Sequence, residues 1–167
     1  GITYNTSDNV IMVGWSGPSH NTVKVIAATV GAAANDASDS DDIAFGSAVD
    51  VQTGSSGNSN QSVGYGMIEY NPTYNTATIC YEYGADSGDA NFVAAVSVSG
   101  TTCSKGTSVE FVDTNLEFYG QSYDPDIGKT VLVYDNATKV AARVISQSGT
   151  GNRTIALGTE AAYANNS

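Results

Sequence analysis

Thr76-Ala77-Thr78-Ile79-Cys80-Tyr81-Glu82-Tyr83 alternates along its whole length: Ala77, Ile79, Tyr81 and Tyr83 fall on one side, Thr78, Cys80 and Glu82 on the other. A period of two, filled by β-branched and aromatic residues, is the pattern of a half-buried strand. The pattern recurs in both directions, and strands are predicted near 9–15, 22–30, 43–52, 62–70, 76–83, 91–99, 107–119, 129–135, 138–146 and 153–158. Turn chemistry fills the gaps, at Gly17-Pro18-Ser19, Asn71-Pro72, Ser99-Gly100 and Asp124-Pro125-Asp126. The clearest hairpin joins 129–135 to 138–146 across Asp135-Asn136-Ala137. The alanine-rich stretch 27–37 is the one helix candidate, but Thr29, Val30 and Gly31 make it a strand followed by a loop. No internal repeat is evident. About ten short strands imply one all-β domain over 1–167, an antiparallel β-sandwich of jelly-roll or immunoglobulin-like type. Residues 34–42 and 53–62 read as long surface loops, and 161–167 as a frayed tail.

Only 14% of the 167 residues are charged, and 17 Asp and Glu against 6 Lys and Arg leave a net charge of −11. Solubility must rest on Ser, Thr, Asn and Gly. Such a surface argues against nucleic acid and anionic membranes as partners, because both require a basic face. No apolar run reaches the length of a membrane span, so no membrane insertion of this chain is expected. Residues 1–104 hold one cation, Lys24, against ten acids, whereas 105–167 hold five cations against seven acids. That asymmetry allows a head-to-tail contact between unlike faces. Acidic loops kept for solubility would give the same count.

Cys80 and Cys103 read as one disulfide, which implies an oxidising compartment and an extracellular or cell-surface location. Two buried free thiols are the alternative. Five Asn-x-Ser/Thr sequons stand at Asn5, Asn60, Asn136, Asn152 and Asn165, acceptors only where the host glycosylates.

Catalytic motifs are missing. His20 is the only histidine, so a zinc site of His and Cys lacks ligands, and a serine triad would have to use His20 while the nearest serine context, Gly14-Trp15-Ser16-Gly17-Pro18, lacks the final Gly of a nucleophile elbow. Gly128-Lys129-Thr130 resembles the end of a phosphate loop, but Tyr123 stands where its first Gly belongs. No catalytic residue and no metal ligand is assigned, and no cofactor is expected. Calcium is the one cation the acids would suit, at Asp36, Asp39, Asp41 and Asp42, although a solvated acidic loop explains them as well. Asp124-x-Asp126-x-Gly128 starts like a calcium loop and then lacks its third ligand. Tyr65, Tyr70, Tyr74, Tyr81 and Tyr83 gather around one hairpin, as a sugar-stacking platform or as cross-strand packing.

Residues 106–153 carry a resemblance. Gly106 to Gly120, then Lys129 to Asp135, then Val140 to Gly149 is similar to the C-terminal sheet of the minor pilins and pseudopilins. The resemblance implies a pilus or surface-fibre subunit. The family's hydrophobic N-terminal helix is absent, and its closing Gly-Arg is replaced by Gly149-Thr150-Gly151-Asn152-Arg153. Val10, Ile11, Met12 and Val13 form an uninterrupted apolar strand near the start, placing an exchanged assembly strand within 1–15. The expected function is therefore a non-enzymatic structural subunit that self-associates into a homo-oligomer or pilus-like filament. A virion decoration or fibre protein, and a carbohydrate-binding or adhesion module with or without calcium, are the alternatives.

Overall fold

A computed structural model describes residues 1–17, 22–31, 43–53, 60–62, 67–85, 88–114, 116, 119–135 and 139–165, with 60–62, 84, 85, 88, 89, 164 and 165 described by backbone alone. The strands form three antiparallel sheets. The first holds β1 (Ile2–Asn5), β2 (Val10–Ser16), β3 (Thr22–Val30), β4 (Ile43–Phe45) and β5 (Val49–Thr53). The middle sheet holds β6 (Asn60–Ser62), β7 (Ile68–Asn71), β8 (Thr76–Ala85), β9 (Gly88–Ser99), β10 (Thr102–Lys105) and β11 (Val109–Asp113). The third holds β12 (Tyr119–Asp124), β13 (Lys129–Asp135), β14 (Lys139–Ser148), β15 (Thr154–Leu157) and β16 (Ala161–Asn165).

The all-β antiparallel expectation holds, but two layers become three. One core lies between the first and middle sheets, around Met12, Val25, Val51, Ile79 and Tyr81. A second lies between the middle and third sheets, around Cys80, Val93, Phe111, Leu132 and Tyr134. The middle sheet is thus buried on both faces. Its second face looked polar in sequence because Thr78 and Cys80 lie on it. Both are fully buried, and the Thr78 hydroxyl is satisfied by Gln121 Oε1 at 2.6 Å. A buried polar group with its partner in place costs little.

The three sheets are three copies of one unit, a repeat that the sequence does not announce. Each begins with a hairpin whose four-residue turn ends on a left-handed residue: Asn9 (φ 57°), Asn75 (φ 50°) and Gly128 (φ 64°). Asn and Gly tolerate that conformation best. In each turn the first strand's last side chain caps the loop. Asn5 Oδ1 accepts from the Ser7 and Asp8 amides, Asn71 Oδ1 from Thr73, and Asp124 Oδ1 from Asp126. The third strand of each unit then meets a fourth strand broken in two, with β4, β10 and β15 opposite one half and β5, β11 and β16 opposite the other. A glycine sits at each break, and its amide bonds an equivalent carbonyl: Gly46 to Ala27 (2.9 Å), Gly106 to Ala95 (2.8 Å) and Gly158 to Val144 (2.8 Å).

Several expectations change. Val10–Val13 belongs to β2, which pairs with β1 on one side and β3 on the other, so its backbone has no open edge for strand exchange. Val10 and Met12 are core residues, and Ile11 and Val13 face outward. The tail does not fray over 161–165 but adds an edge strand to β14, because Ala161 and Ala162 continue the pairing begun by β15. Cys80 and Cys103 are free. Cys80 pairs with Val93 and Cys103 with Val98, five residues apart on β9. Side chains on a strand alternate, so an odd separation puts the thiols on opposite faces, in different cores. Burial pushes the Cys80 thiol up, and that of Cys103 up to about 11, so both behave as small apolar groups. The 106–153 segment straddles two sheets, Val109–Asp113 lying in the middle one and Tyr119–Ser148 in the third.

Candidate functional site

The repeat makes the two intersheet interfaces alike, atom for atom at several points. The Tyr70 amide of the middle sheet donates to Thr3 Oγ1 of the first at 3.2 Å, and the Tyr123 amide of the third donates to Glu69 Oε1 of the middle at 2.9 Å. Thr3 and Glu69 occupy the same place in their units, as do Tyr70 and Tyr123. The hydroxyls repeat the relation: Tyr70 Oη donates to Ser7 Oγ at 2.7 Å, and Tyr123 Oη pairs with Thr73 Oγ1 at 2.9 Å. The break glycines press against the next sheet. A Cβ on Gly46 would lie 2.1 Å from the Thr101 carbonyl oxygen, and one on Gly106 would lie 1.9 Å from that of Arg153.

A head-to-tail stack of identical units leaves two unlike ends uncovered, and the large exposed apolar residues sit there, apart from Ile127 in the turn between β12 and β13. Ile43 on the first sheet is 47% exposed, whereas its counterparts Cys103 and Ile155 are 5% and 7% exposed beneath the preceding sheet. Ile2 is 67% exposed, against 3% for Ile68. At the other end Tyr163 is 79% exposed, against 0% and 4% for Val51 and Phe111. Tyr4, Val30 and Phe45 add to the first sheet's outer side, as does the half-buried Trp15, whose counterparts Tyr81 and Tyr134 are wholly buried. The third sheet's outer side is built from small aliphatic residues, among them Val131, Val133, Ala142 and Val144. A groove of about 270 Å³ runs there along Gly120, Ser122, Val131 and Val133. Sequence reasoning missed both faces because it missed the repeat. The signal was Tyr-Asn or Tyr-Asp followed four residues later by Asn or Gly, at 4–9, 70–75 and 123–128.

The other candidates have structural roles or lie outside the described residues. Tyr70 and Tyr81 are core residues, Tyr81 stacking on Phe92 at 5.7 Å and Tyr83 meeting the same ring edge-on, so the tyrosine row is cross-strand packing. Lys129 Nζ bonds the Tyr74 hydroxyl and lies 5.0 Å from that ring's centre, while Gly128 closes a hairpin turn. Asp124 caps that same turn. Asn5 is buried with both amide atoms engaged, and Asn152 Nδ2 donates to the Tyr74 carbonyl at 2.8 Å, so neither sequon is an open acceptor in the folded chain. For Asn60 and Asn165 the backbone alone is described. Asn136, His20, Tyr65 and the acids Asp36, Asp39, Asp41 and Asp42 lie outside the described residues. Among the described residues no three His, Cys, Asp or Glu gather to hold a metal, and no helix is long and apolar enough to cross a membrane. A cleft of about 430 Å³ between the second and third sheets carries Lys105 and Arg153, but Lys105 Nζ is committed to the Val51 carbonyl at 2.6 Å and Arg153 Nε to that of Thr150 at 3.3 Å.

One polar cluster is partly shielded. Glu160 accepts from the Tyr134 hydroxyl at 2.6 Å and from Lys139 Nζ, with Arg143 at 3.6 Å and Arg143 Nε on the Tyr134 oxygen at 3.0 Å. The Lys139 ammonium, and after it the Tyr134 hydroxyl, hold the Glu160 carboxyl below its usual range. Burial pushes the Tyr134 phenol up. The middle sheet fills Glu160's place with Ser108, bonded to Tyr81 Oη at 2.7 Å, so the cluster is a fastening that the third unit has elaborated. A carboxyl depressed on folding contributes stability above its unfolded value and loses it as pH falls through the carboxylate range. The thermal midpoint is expected to drop below about pH 5, with a shallower acid slope in Glu160→Gln, as read by circular dichroism against pH. No protein-family model, curated protein or solved structure matches the chain.

Proposed function

We propose that the chain is a non-enzymatic structural subunit that builds a larger surface assembly by associating with its own kind through its two uncapped sheet faces. One observation carries this reading: Ile43 and Tyr163, exposed at the ends, are buried at both equivalent positions inside the stack, and Ile2 is buried at the first of its two, Ile68. Contiguous apolar faces of this kind mark interaction sites on soluble chains. An extracellular or cell-surface location rests on the Ser-, Thr- and Asn-rich, Lys-poor composition, since the disulfide no longer supports it. Filament and virion decoration are settings for the same contact. Ile43→Asp tests the reading, because a charge at an exposed position leaves the folded unit intact while forbidding burial at an interface. Light scattering is expected to show association of the parent and its loss in the variant, at an unchanged thermal midpoint. A variant that assembles as well as the parent would overturn it.

A further inference from the structure

Resting on that reading, we infer that the association is head to tail, with Ile2 of one copy seated in the groove at Gly120 of a second copy. Gly1, Met67 and Gly120 hold the same place in the three units, as do Ile2, Ile68 and Gln121. Within the chain, Ile68 of the middle sheet lies on the first sheet's Gly1, where an added Cβ would be 3.1 Å from its Cγ2. Gln121 of the third sheet lies on the middle sheet at Met67, donating to that carbonyl at 2.8 Å. The series continues with a vacant seat. A Cβ on Gly120 would meet nothing within 4 Å, its groove is apolar, and Ile2 is the exposed member of the matching set.

The polar contacts extend in the same register. The Tyr70 and Tyr123 amides each use a side-chain acceptor on the preceding sheet, and the next acceptor in that series is Ser122, beside the groove. The matching donor is the Tyr4 amide. The tyrosine hydroxyls use Ser7 and Thr73, and the next residue in that series is Asp126, which Tyr4 Oη would reach by turning its hydrogen from Asn9 Oδ1, its partner within the chain. A second copy of this chain is therefore the occupant that continuity with two existing interfaces specifies. A contact between unlike patches is heterologous, so an open assembly keeps one free face at each of its two ends until a ring closes.

Two variants test the register. Ile2→Cys/Gly120→Cys is expected to yield covalent dimers or longer species on oxidation that revert on reduction, since the equivalent side chains are close enough for a disulfide. The single substitutions should cross-link far less, because the native thiols are buried and the head-to-tail register keeps like positions of two copies apart. Gly120→Phe fills the groove in open space and is expected to weaken association at least tenfold with the fold unchanged. An assembly indifferent to Gly120→Phe, and not cross-linked in the double variant, overturns the register while leaving self-association standing. A parent chain that stays monomeric overturns both.

Discussion

Gly106→Ala is expected to destabilise the chain by about 3 kcal/mol or more, and Gly46→Ala by a similar amount, while Gly158→Ala leaves stability within about 0.5 kcal/mol. The three glycines hold the same place, at the break in the outer strand, and none has a positive φ that would restrict it for its own sake. What differs is the neighbour. At Gly106 an added methyl would sit 1.9 Å from the Arg153 oxygen and 2.8 Å from its carbonyl carbon. Backbone cannot rotate away as the tip of a flexible side chain can, so the middle and third sheets must separate. At Gly158 the nearest atom is 3.4 Å away, an ordinary contact. For a domain of this size the loss corresponds to roughly 10 °C in thermal midpoint. Differential scanning calorimetry of the three variants checks the contrast, and equal losses would mean that the glycines serve their own strands rather than the stacking.

Phe111→Ala is expected to cost about 3–5 kcal/mol, whereas Tyr163→Ala at the equivalent position costs the folded chain almost nothing and weakens its association. Phe111 lies in the second core with its ring 5.3 Å from Tyr134 and 6.1 Å from Tyr119, so truncation leaves a cavity between two sheets that cannot close independently. Tyr163 has the same place on the third sheet and no fourth sheet over it. Chemical denaturation should separate the two effects from sedimentation of the folded variants. A large stability loss in Tyr163→Ala would show that its ring is packed within its own chain.

The strands were legible because the alternation of Thr76–Tyr83 and its neighbours survives into the sheets with little change. The layering was not. A face carrying Thr78, Cys80 and Asn91 reads as solvent-facing, yet Thr78 bonds Gln121 and Asn91 Nδ2 bonds the Thr114 carbonyl at 2.7 Å, which lets a polar face be buried. The repeat was hidden by its economy. The turn-closing residues Asn9, Asn75 and Gly128 are unevenly spaced, and the turns share only a Tyr, an Asn or Asp, and the left-handed residue. Residues 43–52 and 107–119 each read as one strand because alternation is blind to the breaks at Gly46 and to the passage from the middle sheet to the third. The disulfide failed on parity. Chain spacing permits it, but only the register on β9 places the two thiols on opposite faces.

Three sheets stacked face to face leave two open ends, which further copies joined head to tail would cover. Sedimentation equilibrium of the intact chain over a wide concentration range is the most direct measurement. The end faces call for species heavier than the 17.1 kDa chain, beginning with a pair of about 34 kDa and growing with concentration. A mass of 17.1 kDa at every concentration would contradict the reading of Ile2, Ile43 and Tyr163 as halves of an interface.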